Sequence, residues 1–132
     1  MESKDKLDKF LDEHRLLTLD GGMGTLLYRE YDVPRDSEVW LLKALTEAEH
    51  HDTIVAAHQR YLDAGADILT TFNYTAVPVF VKKVDESLKI LPELVATSCK
   101  LLRKAIDTYK FTPGKERDIL IAGSVPPLFI SY

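Results

Sequence analysis

Three short stretches carry residue types that could do chemistry. The first is Asp20-Gly21-Gly22-Met23-Gly24, which closes the apolar run Leu16-Leu17-Thr18-Leu19. A carboxylate beside backbone N–H groups that no side chain shields suits a small zwitterion. Asp20 would take an ammonium group, and the amides around Gly21 to Met23 a carboxylate. The residues allow a second reading, in which Asp20 only caps the glycine turn through its own backbone. Residue types alone leave both readings open. The other two stretches are Thr71-Phe72-Asn73-Tyr74 and Gly123-Ser124.

The elements that must position these stretches follow from periodicity. Leu7, Phe10 and Leu11 share one helical face, which predicts a helix over Asp5 to His14. Leu16–Leu19 reads as strand one. Thr25 to Trp40 reads as irregular, with turn formers at Pro34, Asp36 and Ser37. Tyr28, Tyr31 and Trp40 could cover the end of a sheet or line a pocket, and the covering role is the expectation. Thr46 and Glu49 resemble a capping box. The stripe Ile54, Val55, His58, Tyr61 and Leu62 then predicts a helix that stops at Gly65.

Asp67–Phe72 is strand two. A helical region follows over about Asp85 to Lys110, divided at Pro92, with Leu94, Val95, Leu102, Ala105, Ile106 and Tyr109 on its buried face. Thr112-Pro113-Gly114 is a turn, and Asp118–Ala122 is strand three. The order is helix, strand, helix, strand, helix, strand. Connections this long admit crossover helices, so the fold class is α/β with parallel strands. Parallel strands end on one side, so Asp20-Gly21-Gly22, Thr71 to Tyr74 and Ser124 converge on one face.

Bulk properties narrow the classes. The chain has 132 residues and a net charge of -4, enough for one modest domain and no electrostatic footprint for nucleic acid or an anionic membrane. No apolar run reaches the ~18 residues of a membrane span. The charged start is wrong for a signal peptide, and a single cysteine, Cys99, excludes an internal disulfide. A cytoplasmic setting is the expectation. G-G-x-G is not the dinucleotide fingerprint. His51 and His58 lie two helical turns apart, roughly 10 Å, too far for one ion. His50 and His51 are expected at the surface, His58 as a packed or snorkelling residue, and Cys99 as a small buried hydrophobe.

The same stretches resemble the homocysteine S-methyltransferase family. The matching pieces are Leu19 to Thr25, Trp40 with Leu45, His58 to Ile68, Thr70 to Ala76 and Ala122 to Pro127, in the family's order and spacing. The resemblance implies that the chain is the N-terminal part, about three βα units, of a (β/α)8 TIM-type barrel preceded by a short helix. It further implies zinc-held homocysteine thiolate attacking the methyl group of a sulfonium or ammonium donor, giving methionine. S-methylmethionine, S-adenosylmethionine and betaine are the donor types. By resemblance Asp20 holds the homocysteine amino group and the Gly21–Gly22 backbone its carboxylate. Thr71, Asn73 and Tyr74 lie at the pocket, Tyr74 towards the donor, with Ser124 on the same face.

The departures set further expectations. The family's zinc ligands are three cysteines in the second half of the barrel, and Cys99 matches none of them. The chain stops at Ile130-Ser131-Tyr132 with three of eight strands. It is therefore expected to be a single incomplete domain over 1–132, to hold no zinc and to transfer no methyl group alone. The alternative is a non-catalytic barrel remnant acting as a binding or interaction module.

Overall fold

The computed structural model describes residues 3–13 and 16–128. His14, at the end of the first expected helix, and the stretch Ile130 to Tyr132 lie outside the described residues. The elements in order are α1 (Ser3–Glu13), α2 (Met23–Glu30), α3 (Trp40–Thr46), a 3-10 turn (Ala48–His50), α4 (His51–Asp63), β1 (Ile68–Thr70), α5 (Pro78–Val81), α6 (Leu91–Thr108) and β2 (Leu120–Ala122).

β1 and β2 pair in parallel, with Ile68 opposite Leu120 and Thr70 opposite Ala122. On the other side of β1 the first expected strand shrinks to a single parallel bridge, Leu19 with Ile68. Its backbone bonds run from Asp20 N–H to the Ile68 carbonyl (3.0 Å) and from Ile68 N–H to the Thr18 carbonyl (3.1 Å). Leu16 and Leu19 are exposed, so apolar burial does not extend this segment into a full strand.

Alternation along the strands assigns the faces. Leu69 points to the helices and packs with Leu62, Ala66 and Leu102, while Ile106 and Ile119 complete that layer. The register puts Ile68, Thr70, Leu120 and Ala122 on the opposite face. A larger cluster lies beside this layer and includes Leu27, Leu42, Ile54 and Val81. α4 and α6 are further tied by Gln59, whose amide donates to the Ala105 carbonyl and the Thr108 hydroxyl, both at 3.0 Å.

α4 ends as its sequence dictates. Gly65 has φ +94°, Ala66 N–H reaches back to the Tyr61 carbonyl and Gly65 N–H to the Leu62 carbonyl, each at 3.0 Å. This is a Schellman motif. Arg117 adds its guanidinium to the Ala66 carbonyl (3.0 Å) and the Leu62 carbonyl (3.3 Å), which fixes the turn that launches β1.

Several expectations are corrected. Thr25 to Trp40 is not all irregular: α2 occupies its first part, and the irregular stretch is Tyr31 to Val39. Thr46 caps nothing ahead of it. It ends α3 and donates its hydroxyl back to the Leu42 and Lys43 carbonyls, and α4 has no side-chain cap. In α1 Phe10 is buried, whereas Leu7 and Leu11 are exposed. Tyr28 is exposed and lies near Arg35, whereas Tyr31 and Trp40 pack on the core. Cys99 and Val95 are exposed. The buried stripe of α6 is Leu94, Ser98, Leu101, Leu102 and Ala105, at the helical repeat, and positions 95 and 99 fall one residue past it.

His58 is fully buried in α4, and neither ring nitrogen has a hydrogen-bond partner among the described residues. Burial pushes its pKa down to about 4. The ring is therefore neutral in the folded protein. The unfolded chain takes up the proton near pH 6.5, so stability falls as pH drops from there towards about 4 and is flat below. Urea denaturation at pH 7.5 and pH 5 should differ by about 2 kcal/mol from this residue alone. His58→Leu should flatten that dependence, and an unchanged slope in the variant would contradict the assignment.

Candidate functional site

Asp20 stands at the end of the bridged segment, and its carboxylate turns onto the neighbouring strand. One oxygen accepts the Thr70 N–H at 2.8 Å and the other accepts the Thr70 hydroxyl at 2.9 Å. Burial pushes the Asp20 carboxyl above its usual range, and the Thr70 hydrogen bonds pull it partly back. The carboxylate is thus not consumed by its own glycine turn, and two oxygens with about four acceptor positions leave room for a further donor.

The glycines next to it serve distinct ends. A Cβ on Gly21 would stand 3.1 Å from the Tyr61 hydroxyl oxygen and 3.2 Å from its Cε1, so the turn lies directly against that ring. Gly22 is the N-cap of α2. The amides of Met23, Gly24 and Thr25 form the first turn of that helix, where N–H groups have no intrahelical acceptor and the dipole favours an anion. A Cβ on Gly24 would lie 3.3 Å from the Leu41 side chain, so α2 and α3 approach closely here.

The second and third stretches meet at the far side. The Thr71 hydroxyl donates to the Asn73 side-chain oxygen (2.6 Å) and accepts the Ser124 N–H (2.8 Å). The Asn73 amide donates to the Ser124 carbonyl at 3.1 Å. Thr71 and Asn73 are both buried. This network ties the chain after β1 to the chain after β2.

A cavity of about 350 Å³ lies between these groups. Asp20, Gly21, Gly22, Thr71, Tyr74 and Ser124 line it, together with Met23, Gly24, Thr25, Leu41, Thr70 and Phe72. Asn73 is not among the lining residues. Its amide is committed to Ser124 and its oxygen to Thr71. Sequence reasoning missed Thr70 and Tyr61. Thr70 follows a buried leucine in a strand and so had to share the other face with Ile68, a legible signal. Tyr61 was absorbed into an apolar stripe, and only its hydroxyl set it apart.

Two larger cavities do not combine these features. One of about 480 Å³ involves Lys9, Glu13, Asp67 and Arg117 at the start of the strands, where parallel α/β folds do not place their chemistry. The other, about 710 Å³, is a groove on α6 that includes Cys99 and Lys100. The zinc implied by the family resemblance does not fit the 350 Å³ cavity. Its lining offers one carboxylate, hydroxyls and backbone amides, and no thiolate or imidazole. Cys99 lines the groove on α6 instead. Among the described residues, Glu47, Glu49 and His50 form a group that could meet one ion. Glu47 and Glu49 each place a carboxylate oxygen near the His50 Nε2, at 3.3 and 3.6 Å, with both glutamates exposed.

Known proteins share this arrangement of sequence and fold. The sequence model of a family described as Homocysteine S-methyltransferase matches residues 17–131. The homocysteine S-methyltransferase of Escherichia coli strain K12 is 33% identical over 129 residues, 96% of this chain and 40% of that protein. A selenocysteine Se-methyltransferase from Brassica oleracea var. italica is 31% identical over 115 residues, 81% of this chain and 32% of that protein. The crystal structure of the Escherichia coli homocysteine methyltransferase in its metallated form superposes with a TM-score of 0.75 at 32% identity, covering 92% of this chain and 41% of that one. The chain spans about two fifths or less of the length of these relatives. By the match over residues 17–131, the chain belongs to the homocysteine S-methyltransferase family.

Proposed function

We propose that the 350 Å³ cavity receives the amino-acid end of homocysteine, within a domain that transfers a methyl group from a sulfonium or ammonium donor to the homocysteine sulfur. The observation that carries this reading is the Asp20 carboxylate. It is fixed through both oxygens on Thr70 and stands beside the N-terminal amides of α2. The ammonium group of the substrate would pair with Asp20. Its carboxylate would meet the amides of residues 21 to 25, where the helix dipole adds to the hydrogen bonds. Two oppositely charged anchors fix both ends of an α-amino acid and leave its side chain to project away from them. Phe72, Leu41 and Met23 supply apolar walls, and Tyr74 and Ser124 stand on the side of the later strands.

Parallel strands in sequence order, helices against one face and the match to a longer methyltransferase support a further reading. We infer that residues 1–132 are the N-terminal part, about three βα units, of a single (β/α)8 barrel. The family's zinc does not fit this lining, and residues able to hold it would have to come from other parts of such a barrel. S-methylmethionine, S-adenosylmethionine and betaine remain the donor types this reading admits, and a cytoplasmic setting goes with it. The lining supports a second reading of the chain taken alone: it binds the amino acid and does not transfer the methyl group.

Affinity should depend on charge. Asp20→Asn should weaken L-homocysteine binding by about 2 kcal/mol, roughly thirtyfold in Kd, the scale of a hydrogen bond to a charged group. The same substitution should leave 4-sulfanylbutanoate, which lacks the amino group, within about twofold of wild type. Calorimetric titration of both ligands checks this, and equal losses for the two would sink the assignment. In wild type, affinity should fall on the acid side as Asp20 takes a proton, starting above the ordinary carboxylate range because its folded pKa is raised.

Thr71→Val should behave differently. It removes a hydroxyl that serves both Asn73 and Ser124 and leaves buried polar groups unpaired. Stability should drop by about 1–3 kcal/mol in urea denaturation, and a change below about 0.5 kcal/mol would show that the network is not structural.

A further inference from the structure

We propose that Tyr61 is the positioning residue of this cavity: its phenol backs the Gly21 turn, so that a Cβ at residue 21 would crowd the ring, and the amides at the start of α2 keep their place beside Asp20. The inference rests on the reading of the cavity given above. It goes further by assigning a role to a helix residue that does not line the cavity.

Three observations converge on Tyr61. A Cβ at position 21 would meet its hydroxyl at 3.1 Å, Cε1 at 3.2 Å and Cζ at 3.4 Å. All three contacts are to one side chain, and Gly21 does not have a positive φ. The crowding that a side chain at 21 would meet is therefore steric and comes from Tyr61. Next, Tyr61 packs against both hydrophobic clusters, the larger one around Leu27 and Ile54 and the one under the sheet around Leu69 and Leu102. A ring held in two clusters cannot easily withdraw, so it acts as a strut. Finally, the Tyr61 backbone carbonyl accepts the Ala66 N–H that closes α4. The residue that sets the Gly21 turn thus also anchors the turn into β1, the strand that carries Thr70 and so holds Asp20. Burial pushes the Tyr61 phenol up, and the charges of Asp20 and Glu30 add to this, in keeping with a hydroxyl that stands close to the site carboxylate.

A double-mutant cycle on the full 132-residue chain tests the strut, with L-homocysteine as the probe. Gly21→Ala should weaken binding about tenfold, because the turn must retreat from the ring. Tyr61→Leu removes all three contacting atoms and should weaken binding about fivefold by leaving the turn unbacked. In the double variant the clash is gone, so the loss should stay near fivefold. A loss near the fiftyfold product would overturn the proposal. Tyr61→Phe keeps the ring and removes only the nearest contact, so it should rescue Gly21→Ala less than Leu does. Asp20→Asn is the control for the cavity itself. If it binds as wild type, the reading of the cavity fails and the Tyr61 strut is judged on stability instead. The same cycle scored by melting temperature supports the strut if Tyr61→Leu recovers the loss caused by Gly21→Ala, and overturns it if the two losses add.

Discussion

The structure depends on how one short segment is clamped to β1. Residues 18 to 20 make only a single bridge with the sheet, Leu19 against Ile68. Two aspartates bracket that bridge. Asp67, at the start of β1, accepts the Thr18 N–H at 2.9 Å. Asp20, at the end of the segment, accepts the Thr70 N–H and hydroxyl. Each carboxylate crosses to the opposite chain, so side chains supply what a longer ladder of backbone bonds would have supplied. One of these clamps is also the candidate anchor for substrate. Register and the candidate chemistry therefore draw on the same carboxylate.

That coupling explains the geometry around the cavity. The clamp places Asp20 at the strand end, and the chain must then turn at once into α2. Gly21 and Gly22 allow the turn, and Tyr61 limits how far it swings. On the far side the Thr71, Asn73 and Ser124 network holds the chains that leave β1 and β2 at a fixed separation. The cavity floor is therefore built from hydrogen bonds between strand ends, and its walls from apolar residues of α2, α3 and the chain after β1. The sheet itself has helices on one face, with Leu69 turned towards them. Its other face carries Ile68, Thr70 and Leu120 by register, and Leu19 at its edge is 61% exposed. Parallel sheets are ordinarily covered on both faces.

Much of this was legible in the sequence, and the misses have physical causes. The α/β order, the two paired strands, the end of α4 at Gly65 and the convergence of Asp20, Thr71 and Ser124 follow from periodicity and from the geometry of parallel strands. α2 was not legible because Gly24 and an isolated first turn give a weak helical signal in eight residues. Strand one was overread because its leucines look buried by composition, whereas Leu16 and Leu19 lie on the surface. Asn73 was placed at the pocket by the family resemblance, together with Thr71 and Tyr74. Its side chain is committed to Thr71 and Ser124 and ties two strand ends, a choice that only the three-dimensional partners decide. Cys99 and Val95 missed the buried stripe by one position, an error of phase and not of element.

The central claim is that the clamp carboxylate and the first turn of α2 together hold an α-amino acid. Titrating the 15N-labelled chain with L-homocysteine tests it most directly. The account predicts saturable shifts, with one common Kd, for the amides of residues 21 to 25 and of Thr70. Shifts confined to the cavity around Lys9 and Arg117, or no saturable shift at residues 21 to 25, would contradict it.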